Sequence, residues 1–192
     1  SIFREAGFPE NLFRTLLIPG KAVDNVLKNE KIVAATLTGS EHAGSRVAET
    51  AGKLLKKTVM ELGGSDPYIV LEDADLDKCA ETAVTARMIN TGQSCIAAKR
   101  FIVVKEVAKA FTEKVTERMK AIRVGDPLDE QSEYGPMARL DLLEDLDEQI
   151  QKSVKMGAGI LAGGKRIDRE GFFYEPTVLT EVKPDMPVFR EE

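Results

Sequence analysis

The sequence predicts an α/β fold. Short β-branched runs alternate with helical patterns along the whole chain. Glycines fall where a strand hands over to a helix, and neither an internal repeat nor a low-complexity segment interrupts the alternation. With 192 residues the chain is long enough for one domain or for parts of two. Its 43% hydrophobic and 31% charged content is that of a soluble globular protein that builds its core without disulfides or a structural metal.

The elements follow in order. Residues 11–18 read as a strand closed by Pro19-Gly20, and a short helix covers residues 22–28. Residues 32–37 are continuously apolar and β-branched and read as a buried strand. The segment from Gly39 to Gly44 opens a helix reaching about Leu55, with Val47, Ala51, Leu54 and Leu55 as its apolar face. A strand at 58–62 breaks at Gly63-Gly64, the candidate domain hinge, and a further strand covers 68–71. Asp75 is a good N-cap for a helix from Leu76 to about Asn90. Residues 91–95 form a loop or a sharp helix entry. Then come a strand at 101–104, an amphipathic helix at 107–122, a helix at 140–156 and a final strand at 177–179.

The bulk numbers exclude several functions. A net charge of −5 leaves no electrostatic footprint for nucleic acid or an anionic membrane, and no partner of either kind is expected. No apolar run approaches the ~18 residues that span a bilayer. Cys79 and Cys95 are too few for a disulfide scaffold and lack zinc-ligand spacing, so no metal site is expected and a reducing, cytoplasmic setting is the simplest reading. Neither a signal peptide nor an initiator methionine opens the chain, and the far end stops without a tail. An internal fragment is therefore expected, although removal of a leader would also explain the missing methionine.

Four sets of residues are candidates for chemistry. Gly39 to Gly44 lets backbone approach a phosphate at a helix N-terminus, with Ser40 as cap or donor. Taken alone, the pattern favours a tight turn with an N-cap. Cys95 lies in a small-residue stretch after a helix. A nucleophile needs open approach and a lowered pKa, as a helix N-terminus provides, yet a lone cysteine is more often buried filler. Cys79, beside Ala80 and Ala83, fits the filler reading. Glu61 ends a strand, where α/β enzymes place working groups and where solvated carboxylates also sit. Arg87, Lys99 and Arg100 read as structural ion pairs before substrate-carboxylate ligands, residues 144–148 as a solvated helix face, and His42 as an exposed loop residue.

Together the motifs resemble the aldehyde dehydrogenase superfamily along essentially the whole chain. Met60-Glu61-Leu62-Gly63-Gly64 is similar to its glutamate signature, and Asn90-Thr91-Gly92-Gln93-Ser94-Cys95 to its cysteine signature, at the family's usual spacing. Thr38-Gly39-Ser40 through Gly44 resembles its cofactor turn. Glu175-Pro176-Thr177-Val178 and Phe189-Arg190-Glu191-Glu192 resemble later landmarks. Gly64-Ser65-Asp66-Pro67, the run from Gln93 to Phe101, and Gly135-Pro136-Met137-Ala138-Arg139 are closest to succinate-semialdehyde dehydrogenases.

The resemblance implies an NAD- or NADP-dependent oxidation of an aldehyde, succinic semialdehyde first, to its acid. Cys95 would be the nucleophile, forming a thiohemiacetal and then a thioester, with its own N–H in the oxyanion hole. Glu61 would activate the hydrolytic water, a task that suits a carboxylate if partial burial raises its pKa toward neutrality. Gly39, Ser40, Gly44 and Leu62 would lie by the cofactor, and Glu192 would reach the nicotinamide ribose. Residues 1–64 would end a Rossmann-like cofactor domain and residues 65–192 would form part of the catalytic domain. Some relatives carry a second cysteine two residues beyond the nucleophile. Ala97 stands there, so no disulfide switch is expected. The family's asparagine oxyanion donor lies upstream of Ser1, so the isolated chain is expected to turn over poorly, and the parent enzyme to be a homo-oligomer. Two rivals remain open: an acylating enzyme that passes the thioester to coenzyme A, and a catalytically silent scaffold of the same fold.

Overall fold

The computed structural model describes residues 2–192, and the chain divides into two units, one ending at Gly63 and one starting at Gly64. The fold is α/β throughout. Among the described residues no helix is long and apolar enough to cross a membrane.

The first unit contains α1 (Ile2–Glu5), a 3-10 turn at Gly20–Ala22, α2 (Val23–Lys28), β1 (Ala34–Gly39), α3 (Glu41–Lys53) and β2 (Lys57–Leu62). β1 and β2 pair in parallel from Ala34↔Lys57 to Gly39↔Leu62, with α3 as the crossover. A parallel pair cannot be closed by a tight turn, so a helix between the strands is required. Ser40 starts that helix, its Oγ accepting from the Ala43 N–H at 3.3 Å.

Three expectations fail in this unit. Residues 11–18 form no strand: the run has no strand beside it among the described residues, and Phe13 instead stacks on Phe3 at 5.4 Å. The strand expected at 32–37 starts at Ala34 because its partner starts at Lys57, and it is not buried, since α3 covers only one face of a two-stranded sheet. The expected apolar helix face loses its last members. α3 ends at Lys53, and Leu55 adopts a left-handed φ of 54° and is 94% exposed. Val47 and Ala51 alone remain of that face inside the helix.

The second unit repeats the parallel device and adds to it. It contains β3 (Pro67–Val70), α4 (Leu76–Met88), a 3-10 turn at Ile89–Gly92, β4 (Arg100–Val103), α5 (Lys105–Ala121), α6 (Leu140–Lys155), β5 (Gly159–Ala162), β6 (Val178–Thr180) and α7 (Pro187–Arg190). β3 pairs in parallel with β4, from Pro67↔Arg100 to Val70↔Val103. Asp75 caps α4 by accepting from the N–H groups of Asp77 and Lys78, as its position before Leu76 predicts. β5 pairs antiparallel with β6, a strand the periodicity did not disclose because Gly159–Ala162 is short and follows a helix closely.

The core of this unit joins Val70, Ala80, Ala83, Val84 and Met88 to Phe111, Val115 and Met119. Two alanines on one face of α4 let α5 approach closely. Tyr68, Phe101 and Phe111 complete the packing with ring centroids 5.6 to 6.5 Å apart. Cys79 is partly buried against this core. A second cluster, Leu143, Ile150 and Tyr174, seats α6. Asp147 departs from the solvated face expected at 144–148. It accepts the Tyr174 hydroxyl at 2.8 Å and faces Arg166 at 3.5 Å. Burial, then Asp147, pushes the Tyr174 phenol well above its ordinary pKa.

Phe111 is 2% exposed at the centre of the larger cluster. Phe111→Ala is expected to cost about 3–5 kcal/mol of stability, since a ring-sized cavity adds to the lost transfer energy. Urea unfolding followed by circular dichroism measures it, and a loss below about 1 kcal/mol would contradict this packing.

Candidate active site

In the first unit the candidate residues gather at the carboxyl ends of the two parallel strands, where open α/β sheets place ligands. The register sets Thr38 beside Glu61 and Gly39 beside Leu62. Side chains alternate along β2, so Leu62 and Glu61 leave opposite faces. Leu62 packs under α3 and the exposed Glu61 turns the other way. Gly44 explains how closely α3 lies on β2. A Cβ there would stand 2.5 Å from Leu62 Cδ2, so any side chain would have to displace Leu62. Above the turn there is room, because a Cβ on Gly39 would meet nothing nearer than 3.9 Å. His42 is exposed in the first turn of α3, not in a loop before it.

In the second unit Cys95 stands exposed in a turn between the 3-10 segment and β4. Its approach is open, but it begins no helix. The chain runs on through Ala97 and Ala98, 3% and 5% exposed, directly into β4. Of the two readings of residues 91–95, the loop holds and the helix entry does not: three left-handed residues, Asn90, Thr91 and Gly92, with φ of 51°, 58° and 76°, follow the end of α4. For Asn90 and Thr91 that region is uphill by roughly 1–2 kcal/mol each. Surrounding bonds must hold the turn against that cost.

Those bonds are specific. Ala98 N–H donates to the Ala86 carbonyl at 3.1 Å, so the segment leaves α4 and returns to it. Gln93 Nε2 donates to the Asn90 carbonyl at 3.2 Å, while its Oε1 accepts the Ala138 N–H at 2.9 Å. Ala97 N–H reaches the Ser94 carbonyl at 2.9 Å across Cys95. The Cys95 turn is thus exposed at its tip and tied at its base. A soft nucleophile held this way meets a small electrophile from solvent without first rearranging the chain.

The three basic residues around it do something other than the ion pairing expected of them. Arg87 Nη2 donates to the Gly92 carbonyl at 2.9 Å, and Arg100 reaches the Ser65 carbonyl through Nε and Nη2 at 3.1 and 2.8 Å. Lys99 Nζ donates to the Glu191 carbonyl. Each cation holds a main-chain oxygen, and together they tie the Cys95 segment to Ser65 and to Glu191. Burial lowers the Arg87 pKa from its ordinary value. Burial, then the Arg87 charge, brings Lys99 down to about 8, against the opposing pull of Glu192 and Glu191. Of the sequence candidates, Gly39, Ser40, Gly44, Glu61 and Leu62 therefore share the first unit, and Cys95 and Glu192 the second. The roles of Arg87 and Gln93 were not signalled by residue type or periodicity, because both depend on how the turn closes.

Comparison with known proteins places this geometry. A profile of the Aldehyde dehydrogenase family matches residues 1–192. The NADP(+) succinate-semialdehyde dehydrogenase of Mycolicibacterium paratuberculosis is 50% identical over 191 residues, covering 100% of this chain and 40% of that protein. A solved structure of Gox0499, described for its cofactor and substrate selection, superposes with a TM-score of 0.95 at 46% identity, covering 100% of this chain and 42% of that one. Lactaldehyde dehydrogenase from Escherichia coli superposes with a TM-score of 0.94 at 34% identity, over 100% of this chain and 40% of its own. The chain spans about 40% of the length of the curated relatives it matches.

The lowered Lys99 value has a defined consequence. Between about pH 8 and 10.5 the unfolded chain holds a proton on this amine that the folded chain has released. Stability therefore rises with pH across that window, relative to a variant without the amine. Melting temperatures of the wild type and Lys99→Met are expected to shift in favour of the wild type from pH 8 to 10. A difference that stays flat, or falls, would contradict the burial of this group.

Proposed function

The chain belongs to the aldehyde dehydrogenase family, and from that premise we propose that its parent enzyme oxidises an aldehyde, succinic semialdehyde first, to the carboxylic acid with NADP+ or NAD+. The observation that carries this reading is the exposed Cys95 at the tip of a turn whose base is tied to α4, Ala138 and Ser65. Residues 1–64 are proposed to end the cofactor domain and residues 65–192 to form the cysteine-bearing part of the catalytic domain. The parent is proposed to work in the cytoplasm as a homo-oligomer.

The first unit fits a dinucleotide phosphate group. Gly39 leaves room above the turn, Ser40 caps α3, and the strand ends beneath are parallel. Gly39 and Ser40 would line that group directly. Gly44 and Leu62 would serve it by seating the helix, because their contact fixes where α3 begins. Glu192, which attracts the charges of Lys99 and Arg87, is the residue proposed for the nicotinamide ribose. The names of relatives such as that of Mycolicibacterium paratuberculosis specify NADP(+), which supports that cofactor.

The chemistry divides between two side chains. The Cys95 thiolate attacks the aldehyde carbon, forming a C–S bond while the carbonyl electrons move to oxygen. The Cys95 main-chain N–H is proposed to stabilise that oxyanion. A nicotinamide cofactor, when bound, would supply the acceptor for the hydride that leaves the same carbon. Cys95 then carries the acyl group as a thioester. Glu61 accepts a proton from water as its oxygen attacks the thioester, and the thiolate departs with the acid released. The 192 residues alone are proposed to turn over poorly.

The test uses the parent-length protein with succinic semialdehyde and each dinucleotide. Cys95→Ala is expected to abolish turnover. Glu61→Gln is expected to release about one equivalent of reduced cofactor per site and then slow by roughly 10²–10⁴-fold, because the acyl-enzyme persists. Full activity of Cys95→Ala would remove the nucleophile from this reading. Wild-type turnover by Glu61→Gln, with an acyl-coenzyme A product when coenzyme A is added, would transfer it to the acylating class. Absence of activity across short and aromatic aldehydes would favour a silent scaffold.

A further inference from the structure

Arg87 sits in the last full turn of α4, immediately after the residue at which the Cys95 segment is rooted. Ala86 O accepts the Ala98 N–H, so the segment 87–97 leaves the end of α4 and is closed back onto it. Cys95 is exposed near the far end of that loop and Arg87 begins it. The guanidinium donates from Nη2 to the Gly92 carbonyl at 2.9 Å.

The contact is more than a helix-end hydrogen bond. A Cβ at Gly92 would meet Arg87 Nη2 at 2.7 Å, Cζ at 3.3 Å and Nε at 3.4 Å, so the guanidinium lies directly against that residue. Gly92 also takes a φ of 76°, after left-handed Asn90 and Thr91. Left-handed Gly92 therefore lies against the Arg87 guanidinium, two residues before Ser94 and three before Cys95. The planar guanidinium donates from one end while the rest of its plane stays close to Gly92, which a lysine ammonium cannot reproduce in full. We propose that Arg87 is a positioning residue: by holding the Gly92 carbonyl and packing against Gly92, it sets the direction in which Cys95 is presented. The proposal rests on the reading of Cys95 as nucleophile, and Arg87 itself touches neither the thiol nor substrate.

The experiment compares the parent-length wild type with Arg87→Met, Arg87→Lys and Val84→Ala. Val84 is a buried residue of the same helix without a part in this contact, and its truncation controls for loss of stability. Two quantities are read: the rate of Cys95 alkylation by iodoacetamide against pH, and kcat and KM for aldehyde oxidation. Arg87→Met is expected to lower the alkylation rate and kcat by about tenfold or more with KM changed by less than about threefold, the pattern of lost positioning and not of lost binding. Arg87→Lys, which keeps a donor but not the plane, is expected to recover part of this and remain about threefold below wild type. Val84→Ala is expected to keep wild-type rates at reduced melting temperature.

Wild-type alkylation and kcat in a folded Arg87→Met protein would overturn the proposal, as would equal losses in Val84→Ala. If Arg87→Met does not fold, Arg87→Lys decides: a loss of about threefold supports the positioning role and wild-type rates overturn it. Alkylation needs no dehydrogenase activity. A protein inactive toward every aldehyde, yet with Arg87-dependent alkylation of Cys95, would lose the proposed function and retain this role.

Discussion

Parallel strand pairing is the constraint on which the rest of this chain depends. Two parallel neighbours must be joined by a crossover, and a helix satisfies that demand while burying one face of the sheet. In the first unit the crossover is α3, between β1 and β2. In the second it is α4, between β3 and β4. Each crossover gathers strand ends and helix ends on one edge of its sheet. Gly39, Ser40 and Glu61 occupy that edge in the first unit. In the second, the route from α4 back to β4 is the segment that carries Cys95. The candidate chemistry occupies strand ends and connections that parallel pairing makes unavoidable.

Packing then decides which small residues are needed. A side chain at Gly44 would have to displace Leu62, which lies 2.5 Å from where its Cβ would stand, so the glycine lets the helix settle onto the strand. Ala80 and Ala83 do the same between α4 and α5. Gly92 is required twice, by its φ of 76° and by the guanidinium against it. A pattern of small residues near a strand end therefore has two physical origins, a ligand above or a neighbour beneath. At Gly44 the neighbour beneath is sufficient.

Much of this was legible in the sequence where a local rule acts alone. Asp75 before Leu76 announced a capped helix, and the cap is made as expected. The apolar period of α5 and α6 placed both helices to within two residues. The failures fall where the outcome depends on a partner. Residues 11–18 have the composition of a strand, but composition cannot supply a neighbouring ladder, and Phe13 stacked on Phe3 instead. β1 begins where its partner begins and not where its own apolar run begins. Asp147 belonged to an acidic run, and only the fold could reveal the Tyr174 hydroxyl beside it. In the site, residue type pointed to Cys95 and Glu61. Residue type also offered Arg87, but as an ion-pair or carboxylate-binding group, since its actual work depends on a carbonyl five residues on whose direction no propensity specifies.

The use of cations around the Cys95 loop follows from the same geometry. A turn with consecutive left-handed residues directs its carbonyls away from any helical partner, and an unmet carbonyl in a half-buried place is costly. Arg87 answers that need at Gly92, while Arg100 and Lys99 tie the strand that follows to the Ser65 and Glu191 carbonyls. Gathering three cations has its own cost, visible in the depressed Lys99, whose charge is opposed first by burial and then by Arg87. Glu191 and Glu192 counter it, so the acidic pair and the basic trio are parts of one balance. Neutralising either side would loosen the other. A strained turn, the cations that hold it and the carboxylates that balance them are therefore best regarded as a single device for holding one exposed thiol still.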